Sequence, residues 1–226
     1  IDDLAGEVQR ELYTQHPWLG LIVYPPQVVI VPAALTGLTI TVAKDATAAT
    51  LSAAPADNQD VDNWWVIVSG KTYYFRVKSH SAGAVAITLD AAAPEALTAK
   101  AVTLAKMEFD LAATTGMLAN QLWTDGGGID GSPIMVLGDE DVRYWYPGQP
   151  QSGWPPSSAA RIGTLKIRLS HYDTTVAHRV EIPYYQEPDD PSGGGTLTLP
   201  KFLRPVLAEG LLAHLYELKG DAREER

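Results

Sequence analysis

Short segments within residues 38–109 have the apolar patterns of β-strands, mostly as alternation of apolar and polar residues and, at 64–68, as a continuous apolar run. The alternation is clearest in LTITV at 38–42 and in TYYFRVK at 72–78. Such a pattern predicts strands with one buried face. Turn-forming residues separate five predicted strands, which cover residues 38–42, 64–68, 72–78, 85–89 and 101–109. Five short strands with turns between them predict a small β-barrel or sandwich.

The end of the chain changes to the helical period. Apolar residues recur at steps of three and four, and Pro205 suits the first turn of a helix, where its missing N–H costs little. Lys219 and Gly220 favour a helix end. The predicted buried face consists of Phe202, Leu203, Val206, Leu207, Leu211, Leu215 and Leu218. The charged tail after the helix either frays into solvent or binds a partner.

Other segments are predicted from shorter patterns. Residues 3–15 and 115–123 are predicted helices, and LIVYPPQVVIV at 21–31 is predicted to be extended, with its prolines at an edge or bend. The alternating segments 164–170 and 175–185 are separated only by a short turn, and they predict a β-hairpin. Together these elements predict an α+β fold. Residues 1–37 and 109–226 would form a helical core with a long C-terminal helix and the hairpin, and residues 38–108 an inserted all-β module.

Composition narrows the class of protein. The chain has 226 residues, of which 46% are hydrophobic, so it is long enough for a sizeable core. It has no cysteine, which excludes disulfides, zinc–thiolate sites and cysteine nucleophiles. No run of 18 apolar residues occurs, so we expect no membrane span.

The charge balance is acidic, with 17 basic and 27 acidic side chains and a formal net charge of −10. Proteins that hold nucleic acid by its phosphates need a basic surface. We therefore expect this chain to repel nucleic acid on average. A surface past which DNA slides also has to avoid binding it.

Several motifs that resemble catalytic or ligand sites have simpler explanations. Residues 126–131 match G-x-G-x-x-G by letter, but a strand-like run follows where a dinucleotide site requires a helix, so a flexible loop is favoured. Acidic residues crowd the loops at 57–62 and 139–141 without the spacing of a calcium loop, and solvated turns are favoured there. The five histidines do not cluster in the sequence, and no G-x-S-x-G elbow occurs. We expect no enzyme and no cofactor.

Tandem aromatic residues suggest a rival function. Trp64, Trp65, Tyr73, Tyr74 and Phe75 could stack on sugar rings, as in a carbohydrate-binding module of a secreted or particle-surface protein. The same residues could instead fill the core of the β module, because alternate side chains of a strand point inward. A hydrolase with catalytic carboxylates in the acidic loops is a third hypothesis.

The order of these features resembles the head-to-tail adaptor proteins of tailed bacteriophages. A short helical region before Trp18 leads through an extended segment into a Thr- and Val-rich β insertion at 38–108. The return segment KMEFDLAATTGML resembles a family segment of the form F/Y-D-L-P, although Ala112 stands where proline is usual. RYWYP, GTLKIRLSHYD and VEIPYYQEP resemble the later hairpin, and LPKFLRPVLAEGLLAHLYELKGD resembles the closing helix. The resemblance covers nearly the whole chain.

The resemblance implies a structural virion protein that is made in the host cytoplasm. Such proteins form a ring, usually of twelve copies, between the portal and the tail or other neck proteins, and genomic DNA passes through the ring. The C-terminal segment would dock on the portal, through Lys219, Asp221, Arg223, Glu224, Glu225 and Arg226. An acidic channel lining is expected from Asp139, Glu140, Asp141, Glu187, Asp189 and Asp190.

Overall fold

The computed structural model describes residues 23–113, 115–124, 131–137, 150–186 and 204–219, and β-strands dominate them. The first strands are β1 (Gln27–Val31), β2 (Leu35–Val42), β3 (Ala48–Leu51), β4 (Trp65–Val68), β5 (Tyr74–His80), β6 (Ala86–Leu89), β7 (Leu97–Ala105), β8 (Glu108–Asp110) and β9 (Thr115–Leu118). The later strands are β10 (Gln121–Thr124), β11 (Pro133–Leu137), β12 (Gln151–Ser152), β13 (Ser158–Ile162), β14 (Lys166–Leu169), β15 (His171–Tyr172), β16 (His178–Ile182) and β17 (Tyr184–Gln186). A 3-10 turn covers Ala56–Asn58, and one α-helix, α1, covers Arg204–Lys219.

The predicted fold class is wrong, because the described protein is mostly β and has no helical core. The helix predicted at 115–123 is replaced by β9 and β10. Leu118 and Leu122 have helical spacing, but their backbones pair with distant strands: β9 pairs with β17, and β10 with β11 and β16. Long-range pairing therefore overrides the local pattern. The predicted helix at 3–15 lies outside the described residues.

Strands β2 to β7 close into a six-stranded barrel with the order β2-β3-β6-β5-β4-β7. The long strand β7 pairs with both β2 and β4 and so closes the barrel. The core contains Ile40, Leu89 and Leu104, which are at most 1% exposed. Strand β3 was not predicted, because its inward-facing residues are Ala49 and Leu51. Only one of these two is a large apolar residue, which makes the pattern weak. The barrel spans residues 35–105, and the independence of a 38–108 module stays a prediction.

A separate seven-stranded sheet has the order β1-β16-β10-β11-β13-β14-β8. All neighbouring strands are antiparallel except β11 and β13. The chain leaves this sheet after the edge strand β1, forms the whole barrel, and re-enters the sheet at the opposite edge strand β8. The barrel is therefore inserted between the two edges of one sheet.

The predicted hairpin of segments 164–170 and 175–185 is also wrong. Its strands β14 and β16 lie in the same sheet but are not neighbours. Strand β14 pairs with β13 and β8, whereas β16 pairs with β1 and β10. The alternation identified both strands correctly, but the short turn between them does not join paired strands. The intervening strand β15 (His171–Tyr172) pairs with β12 instead.

The two edges of the seven-stranded sheet approach each other at one corner. The side-chain amide of Gln27 in β1 donates from Nε2 to the Asp110 carbonyl oxygen, at 2.8 Å. Its Oε1 accepts from the Ala112 amide, at 2.9 Å. A primary amide thus pairs with the end of β8 much as a backbone peptide would. We call this contact the Gln27 seam.

Contacts divide the chain into two compact units. One contains the barrel and the seven-stranded sheet, with residues 27–112 and 120–182. The other comprises residues 1–26, 113–119 and 183–226, and its described part includes the β9–β17 pair and α1. Pro205 lies in the first turn of α1, as predicted, but Val206 on the predicted buried face is 44% exposed.

Candidate functional site

The site residues predicted from the sequence lie almost entirely outside the described part of the chain. Lys219 is the last residue of α1, and its side chain is not described. The remaining portal-docking candidates Asp221, Arg223, Glu224, Glu225 and Arg226 lie outside the described residues. The same holds for the channel candidates Asp139, Glu140, Asp141, Glu187, Asp189 and Asp190. Both assignments stay predictions.

One face of the seven-stranded sheet carries a row of side chains that sequence analysis did not select. Val28 in β1 is paired with Glu181, which is paired with Trp123, and Trp123 is paired with Pro133. Paired residues point to the same side of a sheet, so these four residues share one face. Positions two residues further along add Ile30, Arg179 and Met135 to that face. We call the part formed by β1, β16, β10 and β11 the open face.

The open face exposes large apolar side chains. Met135 is 64% exposed, Ile30 59% and Val28 42%, and Trp123 between them is half-buried. The opposite side of the same strands is core, where Val180, Leu122 and Ile134 are fully buried. Contiguous exposed apolar groups with charged neighbours are typical of surfaces that contact another protein. Arg179 and Glu181 provide those charges, as an ion pair with a nitrogen–oxygen distance of 2.9 Å.

The other end of this sheet face is covered by the chain's own barrel. Arg168 in β14 and Glu108 in β8 are paired across the ladder and are each only 7% exposed. Trp65 from the barrel lies over the Arg168 guanidinium, with 4.4 Å between the guanidinium carbon and the ring centroid. Stacking of this kind stabilises a cation, most strongly when it is withdrawn from water. The barrel and the sheet are therefore in direct contact there.

Glu108 forms the centre of this contact, which we call the Glu108 junction. Its Oε1 accepts from the Nε of Arg168, at 3.1 Å, and also from Nη2. Its Oε2 forms an ion pair with Nη2 of Arg76, at 2.7 Å, and Arg76 belongs to strand β5 of the barrel. One buried carboxylate thus joins an arginine of the sheet to an arginine of the barrel. The junction forms only when both parts are folded and in contact.

A second polar cluster organises the loops beside β16. The His178 ring stacks on Trp154, with 3.9 Å between centroids and 7° between planes. His178 Nε2 lies 2.8 Å from a carboxylate oxygen of Asp173. The other Asp173 oxygen accepts from the amide and the hydroxyl of Thr175. The hydrogen bonds from His178 and Thr175 hold the pKa of Asp173 well below its usual range.

We expect the Asp173 cluster to make folding sensitive to acid. A carboxyl whose pKa is lowered in the folded state stabilises fully above its unfolded value of 3.8, and this contribution is lost as the pH falls through the folded pKa. Asp173→Asn should therefore lower the urea midpoint at pH 6, and the difference from the parent should shrink below about pH 4. Asp45→Asn, at an exposed turn, is the control. A difference that stays constant from pH 6 to pH 2.5 would contradict the assignment.

The nearby serines and histidines do not form a catalytic triad. Ser170 Oγ lies 2.7 Å from Nδ1 of His171, but the carboxylate of Asp173 is bonded to a different histidine, His178. Ser170 is 5% exposed, and its hydroxyl also accepts from the Ser158 amide. Burial lowers the pKa of His171. The arrangement lacks the linked nucleophile, base and orienting acid that acyl transfer requires, and it connects two strands instead.

The aromatic residues behind the sugar-binding hypothesis are mostly in the interior. Trp64, Trp65 and Phe75 are 2%, 7% and 3% exposed, so their rings cannot stack on an external sugar. Tyr73 is half-buried against Phe75, and Tyr74 against Trp65. The tandem pattern arises because alternate residues of β4 and β5 fill the barrel core and the Glu108 junction.

Within the described ranges, no three histidine or acidic side chains are grouped so that they could hold a metal ion. The helix in the described part of the chain lacks the length and hydrophobicity of a membrane span. Comparison with protein-family models, with curated proteins and with solved structures gives no match.

Proposed function

We propose that this protein is a head-to-tail adaptor of a tailed-bacteriophage virion, a non-enzymatic ring subunit between the portal and the tail. The proposal rests on the order of sequence features from Trp18 to the closing helix. The open face of the sheet supports it, because a ring subunit needs a surface for its neighbours. We assign the ring contact to the sheet, because the described residues are mostly β and form no helical core.

The open face is the structural observation that best supports the proposal. Its exposed apolar residues occupy only the part of the sheet that the chain's own barrel leaves uncovered. We assign this face to a second copy of the same chain, the adjacent subunit of the ring. The face carries both a positive and a negative charge, Arg179 and Glu181. A surface of the second copy that also carries both signs can contact it without leaving a charge unpaired. Heterologous contacts of this kind close into rings when the rotation between copies is a simple fraction of a turn.

The Glu108 junction supports a mechanical role for the subunit. A connector holds a DNA-filled head against a tail, so its parts have to keep fixed relative positions. A buried carboxylate between two arginines, covered by Trp65, favours one arrangement of barrel and sheet. The barrel would then project from the ring in a defined direction toward the tail or other neck proteins.

Replacing two apolar side chains of the open face should weaken ring formation without unfolding the subunit. We expect Ile30→Ser with Met135→Ser to shift assembly to at least about tenfold higher concentration, because the lost apolar contacts come from a desolvated interface centre. The side chains are exposed in the single chain, so thermal stability should change little. Analytical ultracentrifugation and mass photometry of the full chain, with and without its portal, provide the measurement.

Val176→Ser is the matched control, since Val176 is 53% exposed but lies in the loop before β16, outside the open face. The control should assemble like the parent. Assembly of the double variant at the parent's concentration would refute the ring assignment of the open face. A parent protein that stays monomeric even with portal-bearing heads would refute the adaptor function itself.

The portal is the proposed partner of the C-terminal tail. Removing residues 220–226 should leave the helical circular dichroism signal nearly unchanged but prevent binding to portal-bearing heads, because arginine forks in the tail suit carboxylates in a cleft. Repetition around a ring would amplify each weak contact through avidity. Co-sedimentation with heads is the measurement. Truncated protein that binds heads as well as the full chain would show that the tail is only a frayed end.

Passing DNA is the proposed content of the ring channel. The acidic candidates at 139–141 and 187–190 would prevent the lining from binding DNA phosphates. A basic lining would bind them, because each phosphate that a lysine or arginine neutralises adds salt-dependent affinity. A ring structure with a continuous lysine and arginine lining would contradict this part of the proposal.

A further inference from the structure

The outer surface of the barrel contains a groove that the adaptor function does not use. Its volume is about 350 Å³, within the range of small-ligand sites. It lies over strands β3, β6 and the end of β5. The groove is lined by Ala48, Ala49, Thr50, Ser79, His80, Ser81, Ala86, Ile87 and Thr88.

Small side chains and an irregular ladder create this groove on a surface that would otherwise be convex. Ala48 is paired with Thr88, and Thr50 with Ala86, so each outward-facing pair places one alanine opposite one threonine. The pairing of β5 with β6 shifts register between Val77 and Ser79. A register shift of this kind bends the strand and redirects its side chains. The result is a floor of methyl groups bordered by hydroxyls.

The hydroxyls of the groove are available to a ligand. Within the described part of the chain, the hydroxyls of Thr50, Ser79, Ser81 and Thr88 make no hydrogen bond. His80 differs, because its Nε2 lies 3.0 Å from the Ala84 carbonyl oxygen and its Nδ1 3.4 Å from the Val61 amide. The His80 side chain is 0% exposed, so its imidazole is not open to a ligand. Each hydroxyl can both donate and accept.

The side chains that line the groove also exclude some classes of ligand. None of the nine lining residues has a carboxylate, an ammonium or a guanidinium group, so the groove offers an ion no counter-charge. None has a phenyl, phenol or indole ring, and the imidazole of His80 is 0% exposed, so stacking on a ligand contributes little. An uncharged ligand rich in hydroxyl groups best matches several hydroxyls above a methyl floor.

We propose that this groove binds the end of a neutral glycan. The hydroxyls of one sugar ring would exchange hydrogen bonds with the four free hydroxyls, and an apolar C–H face of the ring would lie on Ala48 and Ala86. The site is distinct from the buried tandem aromatics. It goes beyond the proposed adaptor function, and its failure would leave that function untouched.

The test uses the full chain and neutral disaccharides: maltose, cellobiose, lactose and chitobiose, each titrated to about 50 mM, because a site without stacking is expected to be weak. Saturation-transfer NMR should show saturable binding of at least one of them. Ala86→Trp should weaken that binding at least about tenfold by filling the groove. Ala101→Trp, at an exposed outward position of β7 outside the groove, should leave it unchanged.

Circular dichroism and thermal melts of both variants establish that the barrel stays folded. The matching monosaccharides separate two sources: equal binding indicates a free sugar, and stronger disaccharide binding indicates the end of a chain. Absence of saturable transfer for every sugar would overturn the proposal. Binding that survives Ala86→Trp would also overturn it, as would preferred binding of an uncharged peptide.

Discussion

Glu108→Gln should destabilise the protein by about 3 kcal/mol, the largest effect that we expect from a substitution of one polar group. Removing one member of a buried charge group leaves the others without compensation, and the measured cost of such changes is about 3–5 kcal/mol. Glutamine keeps the shape and one acceptor oxygen, so the lower end of that range applies. Arg168 would then lie in the interior with a neutral partner.

Two comparisons isolate the buried charge in this experiment. Asp110→Asn removes a carboxylate two residues away, whose oxygen lies 3.7 Å from Lys166 and whose side chain is 85% exposed. Exposed pairs contribute at most about 1 kcal/mol, so this variant should unfold nearly like the parent. Adding Arg168→Met to Glu108→Gln should recover part of the loss, because an apolar side chain replaces an uncompensated charge. Urea denaturation followed by tryptophan fluorescence measures all three variants.

The junction would be refuted as a contact between barrel and sheet if Glu108→Gln and Asp110→Asn had equal, small effects. Amide exchange gives a second readout. If the junction positions the barrel, exchange in Glu108→Gln should increase most in β4, β5, β8 and β14, which meet there. Uniform acceleration through both parts would instead indicate a general loss of stability.

Leu104→Ala should cost about 3 kcal/mol, within the range of about 2–5 kcal/mol for a fully buried leucine. Leu104 is 0% exposed in the barrel core. Its strand β7 pairs with β2 on one side and β4 on the other, so Leu104 neighbours both Leu35 and Val66. Little room exists for the surroundings to collapse into the cavity, because a closed barrel constrains its strands.

Thr103→Ala is the control for Leu104→Ala, since Thr103 is the adjacent residue and is only half-buried. Its expected cost is below about 1 kcal/mol, the span of β-propensity differences. Chemical denaturation at constant m-value is the measurement. A loss below about 1 kcal/mol for Leu104→Ala would contradict a tightly packed barrel core around that residue.

Local apolar patterns identified many of the strands but not their partners. The segments at 38–42 and 64–68 correspond to β2 and β4, and the predicted strands around 167 and 180 correspond to β14 and β16. Alternation reports which side of a strand is buried, and this information is local. The wrong hairpin shows the limit, because β14 and β16 are separated in the sheet by β10, β11 and β13. Pairing depends on the whole set of strands.

For the candidate sites too, the sequence indicates individual residues but not which residues they meet. Val28 and Ile30 are visible as apolar residues of one strand, but only the register with β16 and β10 places Met135 on the same face. Glu108 and Arg168 are 60 residues apart, and an acidic residue in an apolar strand gives no indication of its partner. Arg168 lies at a polar position of an alternating segment, but the barrel covers its side chain.

The Gln27 seam bears on how a protein whose largest sheet has two open edges avoids forming fibrils. An uncovered edge offers its peptide groups to any passing strand, and stacking of identical edges is the first step toward amyloid. Gln27 occupies an acceptor and a donor at the end of β8 by a side chain that belongs to the opposite edge. The inserted barrel leaves from β1 and returns at β8, so its two connections are attached to those same edge strands. One side-chain amide and one insertion therefore disfavour the addition of another chain's strand at these edges.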